Sequence, residues 1–151
     1  MIKYIITLLL LTNTALAHYD AEILRVIDGD TVLAKIYLLP GQHITATIRL
    51  NEIDTPEKRS TSKRKVPTCE KVLAKKASQF TVDAITNAET LHVDDLKLGT
   101  YASRARDENR NKLPSYIGQV IIDGENLSDL LFDSGLAQRF STDRQNVFWC
   151  K

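Results

Sequence analysis

The sequence predicts one small α+β, mainly β domain: a five-stranded barrel of the OB type with two or more helices packed against it. Three observations predict it. The first half of the chain alternates apolar and polar residues, with tight-turn signals between the runs. The middle then switches to helical spacing, and the rest reads as two more strands and a short helix. Strands interrupted by helices in this mixed order fit a small sheet closed on itself with the helices outside it.

The elements follow in order. "AEILRVIDGDTVLAKIYL" is two β-rich runs split at Asp28-Gly29, a hairpin signal, with Asp30 opening the second run. Pro40-Gly41 gives the next turn. "HITATIRL" sets Ile44, Ala46, Ile48 and Leu50 on one face and Thr45, Thr47 and Arg49 on the other, so Arg49 points away from the core. Leu73, Ala77, Phe80 and Ala84 fall at helical spacing between residues 69 and about 87, and Thr68 after Pro67 is the expected N-cap. "ETLHVDDL" and "YIGQVII" read as strands. Asn126 then caps a short helix carrying Leu127, Leu130 and Leu131, closed by Gly135.

Residues 1–17, "MIKYIITLLLLTNTALA", run from a lysine through an apolar stretch to Ala15-Leu16-Ala17, the order of a cleaved signal peptide, with cleavage expected before His18. The apolar run is shorter than the ~20 residues a bilayer span needs. The expectation is an exported protein, periplasmic or secreted, whose mature part, residues 18–151, is a single domain without membrane association. The full chain has 20 basic and 19 acidic residues, and losing Lys3 with the leader brings the two into balance. A globally basic nucleic-acid binder is therefore excluded, and any such partner must be held by local charge. Export makes a Cys69–Cys150 disulfide the default reading of the two cysteines. A two-cysteine metal site is the weaker one, because no His or further Cys stands at ligand spacing.

The chemistry concentrates around two turns. In a three-stranded meander Asp30 and Asp54 come to the same end of the sheet. Two carboxylates brought together need a cation between them, and all-oxygen ligands suit Ca²⁺ or Mg²⁺. The Thr55 carbonyl is a further candidate oxygen. Glu57 stands close enough to take a proton from an attacking water, and Arg49 could grip a phosphate. That combination is phosphodiester cleavage by metal-assisted water. Taken singly, each feature has a plainer reading: Asp28-Gly29 a hairpin, the acids beside Pro56 a solvated turn, Arg49 a surface partner of Glu52. From Lys58 to Lys76 eight basic residues face one acid, Glu70. Such a run is either a solvated loop or, this close to the acidic turn, a site where Lys63, Arg64 and Lys65 draw in a phosphate backbone.

"VIDGDTV" followed by "IRLNEIDTPE" resembles the staphylococcal nuclease, or thermonuclease, family, and the resemblance continues through "CEKVLAKKASQF" and "VIIDGENLSDLLFDSGLA". It implies an OB-fold nuclease that uses Ca²⁺ to cut single- or double-stranded DNA and RNA, acting as a monomer. By motif, Asp30, Asp54 and the Thr55 carbonyl correspond to calcium ligands, Glu57 to the residue that activates water, and Arg49 to the first phosphate-binding arginine. The family's second catalytic arginine does not carry over cleanly. Ungapped alignment puts Ser115 in its place. Arg110 fits if a few residues are inserted after it, and Arg104 and Arg106 are further candidates. The displacement leaves a second expectation open, a nucleic-acid-binding module with impaired catalysis.

Overall fold

β1 (His18–Asp28), β2 (Thr31–Leu39) and β3 (Gln42–Leu50) form the expected antiparallel meander in the computed structural model, which describes residues 18–62, 64–99, 105–140 and 149–150. The expected leader, Lys63 and Arg104 lie outside the described residues. Alternation along β2 and β3 sends Val32, Ala34, Ile36, Ala46, Ile48 and Leu50 inward, each at most 1 % exposed. Register shifts between Ile23 and Arg25 and between Val26 and Asp28 bend β1. The bent strand reaches β5 (Leu91–Leu98) at its other end, where His18 faces Asp94.

β5 pairs antiparallel with β6 (Ser115–Ile122), and β6 returns to β3 in parallel, Thr47 beside Ser115 and Arg49 beside Ile117. That last pairing closes the sheet into a mixed barrel of five strands, β1, β2, β3, β5 and β6. Val93, Val120 and Ile122 complete its interior. At the end of β6, Asp123 and Gly124 take φ of 50° and 85°, the paired left-handed turn that an Asp-Gly hairpin favours, and lead into the short β7 (Glu125–Asn126).

Two helices pack on the barrel. α1 (Thr68–Thr86) presents its deepest face through Glu70, Ala74, Ala77, Ser78 and Thr81, a smaller and more polar stripe than the expected one. Of the expected face, only Ala77 is fully buried, while Phe80 and Ala84 pack partly covered against the core. The helix also begins one residue earlier than expected: Pro67, extended at φ −63° and ψ 158°, occupies the N-cap, and Thr68 is the first helical residue. The Pro67 carbonyl accepts from the Lys71 amide at 3.1 Å, so the helical ladder starts there without a side-chain cap.

α2 (Leu127–Asp133) is capped as expected. Asn126 accepts from the Ser128 amide at 2.9 Å, and Gly135 follows with φ 72°. Its Leu127 and Leu131 are fully buried against the barrel. One pairing escaped the sequence reading: β4 (Ile53–Asp54) against β8 (Gln138–Arg139). The expected disulfide is present. Cys69 and Cys150 are bonded, their Cα atoms 6.0 Å apart, and the bridge fixes residue 150 to the first turn of α1.

Candidate active site

The hairpin signal at Asp28-Gly29 has a different physical basis from the one expected. The turn residues are Gly29 and Asp30, and β2 begins at Thr31. Neither turn residue has a positive φ. Gly29 is required by crowding: a Cβ there would sit 2.8 Å from the Ala77 Cβ and 3.0 Å from the Thr55 Oγ1. Thr81 of α1 donates its hydroxyl to the Gly29 carbonyl at 2.7 Å. The small stripe on α1 thus lets the helix lie directly on the turn and hold Asp30 in place.

Arg49 is brought to Asp30 by register, since Thr31 pairs with Arg49 and the Leu50 amide donates to the Asp30 carbonyl at 2.8 Å. The acidic turn after β3 is fixed from three sides. Ile53 is buried, Asp54 pairs with Gln138, and the Ser128 hydroxyl of α2 donates to the Asn51 carbonyl at 3.1 Å. Glu52, at φ 63°, turns outward to within 3.6 Å of Arg139. Arg49 therefore does not pair with Glu52. Its Nη2 contacts Asp54 Oδ1 directly and lies 3.2 Å from Asp30 Oδ2.

The two aspartates thus converge on one cation, here the guanidinium. Asp30 is 5 % exposed, and its remaining contacts are the Thr31 hydroxyl, 2.9 Å away, and the Thr55 amide at 3.4 Å. Burial pulls the Arg49 pKa down more strongly than any single neighbour raises it. Asp30, Asp54 and Glu57, with the hydrogen bond to Asp54, together outweigh burial and raise it, so the guanidinium stays charged. The donor set, carboxylate oxygens aimed at a shared point, fits a hard divalent ion and offers little to a soft one.

Glu57 is seated by a residue that sequence reasoning left unused. Glu70, 1 % exposed, accepts the Glu57 amide at 3.0 Å and holds Arg64 through two bonds of 2.9 and 2.7 Å. Hydrogen bonding to Glu70, more than any other cause, raises the Arg64 pKa. Arg64 is therefore engaged in fixing the loop beneath Glu57, while Lys65 is exposed. The visible signal was Glu70 itself, the lone acid in a basic run; what it pairs with only the fold reveals. The loop is also pinned by buried Val66, whose amide donates to the Ser60 hydroxyl at 2.9 Å.

Glu57 lines a cleft of about 340 Å³ together with Arg25, Asp28, Lys58, Arg59 and Ala105. Lys58 donates to the Ile27 carbonyl at 2.8 Å and lies 3.6 Å from Asp28, so one cation of the basic run is built into the cleft wall.

The family model for staphylococcal nuclease homologues matches residues 47–147, two thirds of the chain. The chain belongs to the staphylococcal nuclease family. It is a nuclease-family protein, and its closed five-stranded barrel with two helices is consistent with that family's OB fold. No curated protein matches the chain. The family match begins at Thr47 and so excludes Asp30, which the β1–β2 turn nevertheless delivers to Arg49.

Against that family, the unusual region is the approach to β6. Ser115 opens the strand, and its carbonyl accepts the Gly99 amide at 2.7 Å. Residues 105–113 form a hairpin. The Leu113 amide donates to Ala105, Arg106 pairs with Lys112, and the Arg106 guanidinium donates to the Arg110 carbonyl at 2.7 Å. The root of this hairpin, Ala105, lines the cleft; Arg110 sits exposed at its tip with φ 64°.

Proposed function

We propose that this protein is an exported, Ca²⁺-dependent nuclease that hydrolyses phosphodiester bonds of DNA and RNA with little sequence preference. The observation that carries the reading is the convergence of Asp30 and Asp54 on one cation position, with Glu57 in the adjoining cleft. Asp30 and Asp54 would hold Ca²⁺, with the Thr55 carbonyl as a further ligand. When bound, the ion supplies Lewis-acid stabilisation of the phosphoryl oxygens.

The protein's own residues do the rest. Glu57 accepts the proton of the water that attacks phosphorus, and the bond from phosphorus to the leaving oxygen breaks. Arg49, permanently charged and carrying five N–H donors, binds a phosphoryl oxygen and stabilises its growing charge. Lys65, with Lys63 and, through its backbone loop, Arg64, steers the substrate backbone toward the cleft. Arg110 supplies the second arginine, from a hairpin rooted in the cleft wall.

The test is hydrolysis of single-stranded DNA by the protein beginning at His18, with Ca²⁺ and then with a chelator. Cleavage that needs Ca²⁺ and is lost in Glu57→Gln is expected. Absence of cleavage at any Ca²⁺ concentration refutes the proposal. Ser115 at the head of β6 favours the second reading, a binding module with impaired catalysis. That reading predicts salt-sensitive DNA binding without cleavage.

A further inference from the structure

At the end of β1 opposite the Gly29–Asp30 turn, three side chains with metal-ligating atoms meet. Pairing of β1 with β5 sets His18 opposite Asp94 and Asp20 opposite His92. His18 Nδ1 lies 3.3 Å from Asp94 Oδ1, and His92 Nε2 lies 3.6 Å from Asp94 Oδ2. The imidazole centroids are 3.7 Å apart, and one ligand atom from each residue lies within 4.8 Å of the other two. A second observation points the same way. Asp94 Oδ1 is buried and has no hydrogen-bond partner among the described residues, an arrangement that is costly unless a cation satisfies it.

We propose that His18, His92 and Asp94 form a second metal site, which takes a transition-metal ion. Two imidazoles and a carboxylate suit Zn²⁺ or Cu²⁺ and are poor ligands for Ca²⁺. Ligand atoms ~2.0–2.1 Å from one tetrahedral ion lie roughly 3.3 Å apart. His18, whose side chain is 55 % exposed, closes the remaining gap by rotating about its own side-chain bonds. The site is separate from the nuclease centre, because it lies at the end of β1 opposite the Gly29–Asp30 turn.

His18 is also the residue before which leader cleavage is expected. Cleavage there frees its α-amine, and the amine and Nδ1 of one N-terminal histidine close a chelate ring on a single ion. With His92 this makes a nitrogen-rich set, for which Cu²⁺ outcompetes the other divalent first-row ions. The amine ligand rests on the export reading above; the three side-chain ligands do not. A bound ion ties the mature N-terminus to β5.

The experiment titrates the protein beginning at His18 with Cu²⁺ and with Zn²⁺ against a competing chelator, without Ca²⁺ or nucleic acid. Calorimetry counts the sites, and electron paramagnetic resonance of the copper form reports its nitrogen ligands. One equivalent of Cu²⁺ is expected, bound more tightly than Zn²⁺, with Kd at least tenfold weaker in His92→Ala and weaker again in His92→Ala/Asp94→Asn. The same protein acetylated on the His18 α-amine should lose one nitrogen from the spectrum and bind at least tenfold more weakly. His92→Gln replaces the alanine variant if melting curves show that alanine disturbs the barrel. Unchanged Cu²⁺ affinity on substituting His92 overturns the site, and unchanged affinity with the His18 α-amine acetylated overturns the amine ligand. Ca²⁺-supported DNA cleavage should be unaltered in Asp94→Asn, so failure here and failure of the nuclease proposal are read separately.

Discussion

The ion-pair cluster and the 105–113 hairpin are built differently. On one side Asp30, Arg49 and Asp54 stand on the barrel itself: a turn under α1, the last residues of β3, and a strand pinned by β8 and α2. On the other, the 105–113 hairpin rises from Ala105 and holds its tip with its own bonds, Arg106 to Arg110 and Asn111 to Asp107. The first side inherits its geometry from contacts that the fold needs anyway. The second rises from buried Ala105 and holds its exposed tip by bonds within the hairpin. Residues that must be placed within fractions of an ångström belong on the first kind of support, and a charge that acts at longer range tolerates the second.

Substitutions can break or sharpen that contrast. The largest effect should come at Glu57, which α1 seats through Glu70. Glu57→Gln should lower kcat about 10²–10⁴-fold, the range for losing a general base, with the melting temperature within a few degrees of the parent. Steady-state cleavage alongside calorimetry checks it, and a parent-like kcat would move the chemistry away from this cleft. Next in size is the disulfide. Cys69 precedes Glu70, whose carboxylate seats Glu57, so opening the Cys69–Cys150 bridge removes a constraint on that end of α1. Reduction should cost about 4 kcal/mol in the chain-entropy model, read as a lower melting temperature of the reduced protein. Unchanged melting would mean that the bridge contributes little.

On the hairpin side, Arg110→Ala should reduce kcat about 10²–10³-fold with folding intact, the range for removing one donor to the developing charge. Ser115→Ala should change little. If Arg110→Ala is near normal while Arg106→Ala is impaired, the working guanidinium comes from the hairpin's root and not from its tip. The smallest effect tests the support itself. Gly29→Ala drives a methyl group against Ala77 and should destabilise by about 1–3 kcal/mol, measured by denaturant unfolding. It should also lower activity beyond what the lost stability explains, because Asp30 moves with the turn.

Much of the barrel side was legible in the sequence because its periods are long enough to read. Strands of nine residues such as β2 and β3 show their alternation, and that alternation put Arg49 on the outer face beside the two turns. β4 and β8, two residues each, carry no period, so the pairing that holds Asp54 could not be read. The reason for Gly29 was misjudged because crowding by Ala77 and Thr55 comes from residues far away in sequence. Arg64 looked like a free cation because nothing local announces that Glu70 is buried beneath it. His18 and Asp94 meet only through the β1–β5 pairing, which no spacing reveals.

The parallel pairing of β3 with β6 has a consequence for how the molecule comes into being. β1, β2 and β3 are consecutive hairpins and can form before the rest of the chain is in place, since each closes a short loop. The Thr47 hydroxyl, by contrast, donates to the Pro114 carbonyl across 67 residues, and closure at that seam waits for nearly the whole chain. Asp30 and Arg49 belong to the early part, so their charges can meet while the barrel is still an open sheet, whereas Asp54 is fixed only when β8 and α2 arrive. Glu57 takes its seat only when α1 and Glu70 arrive. The Asp30–Arg49 pair is therefore available as an early tether between the β1–β2 turn and β3, before any substrate cleft exists.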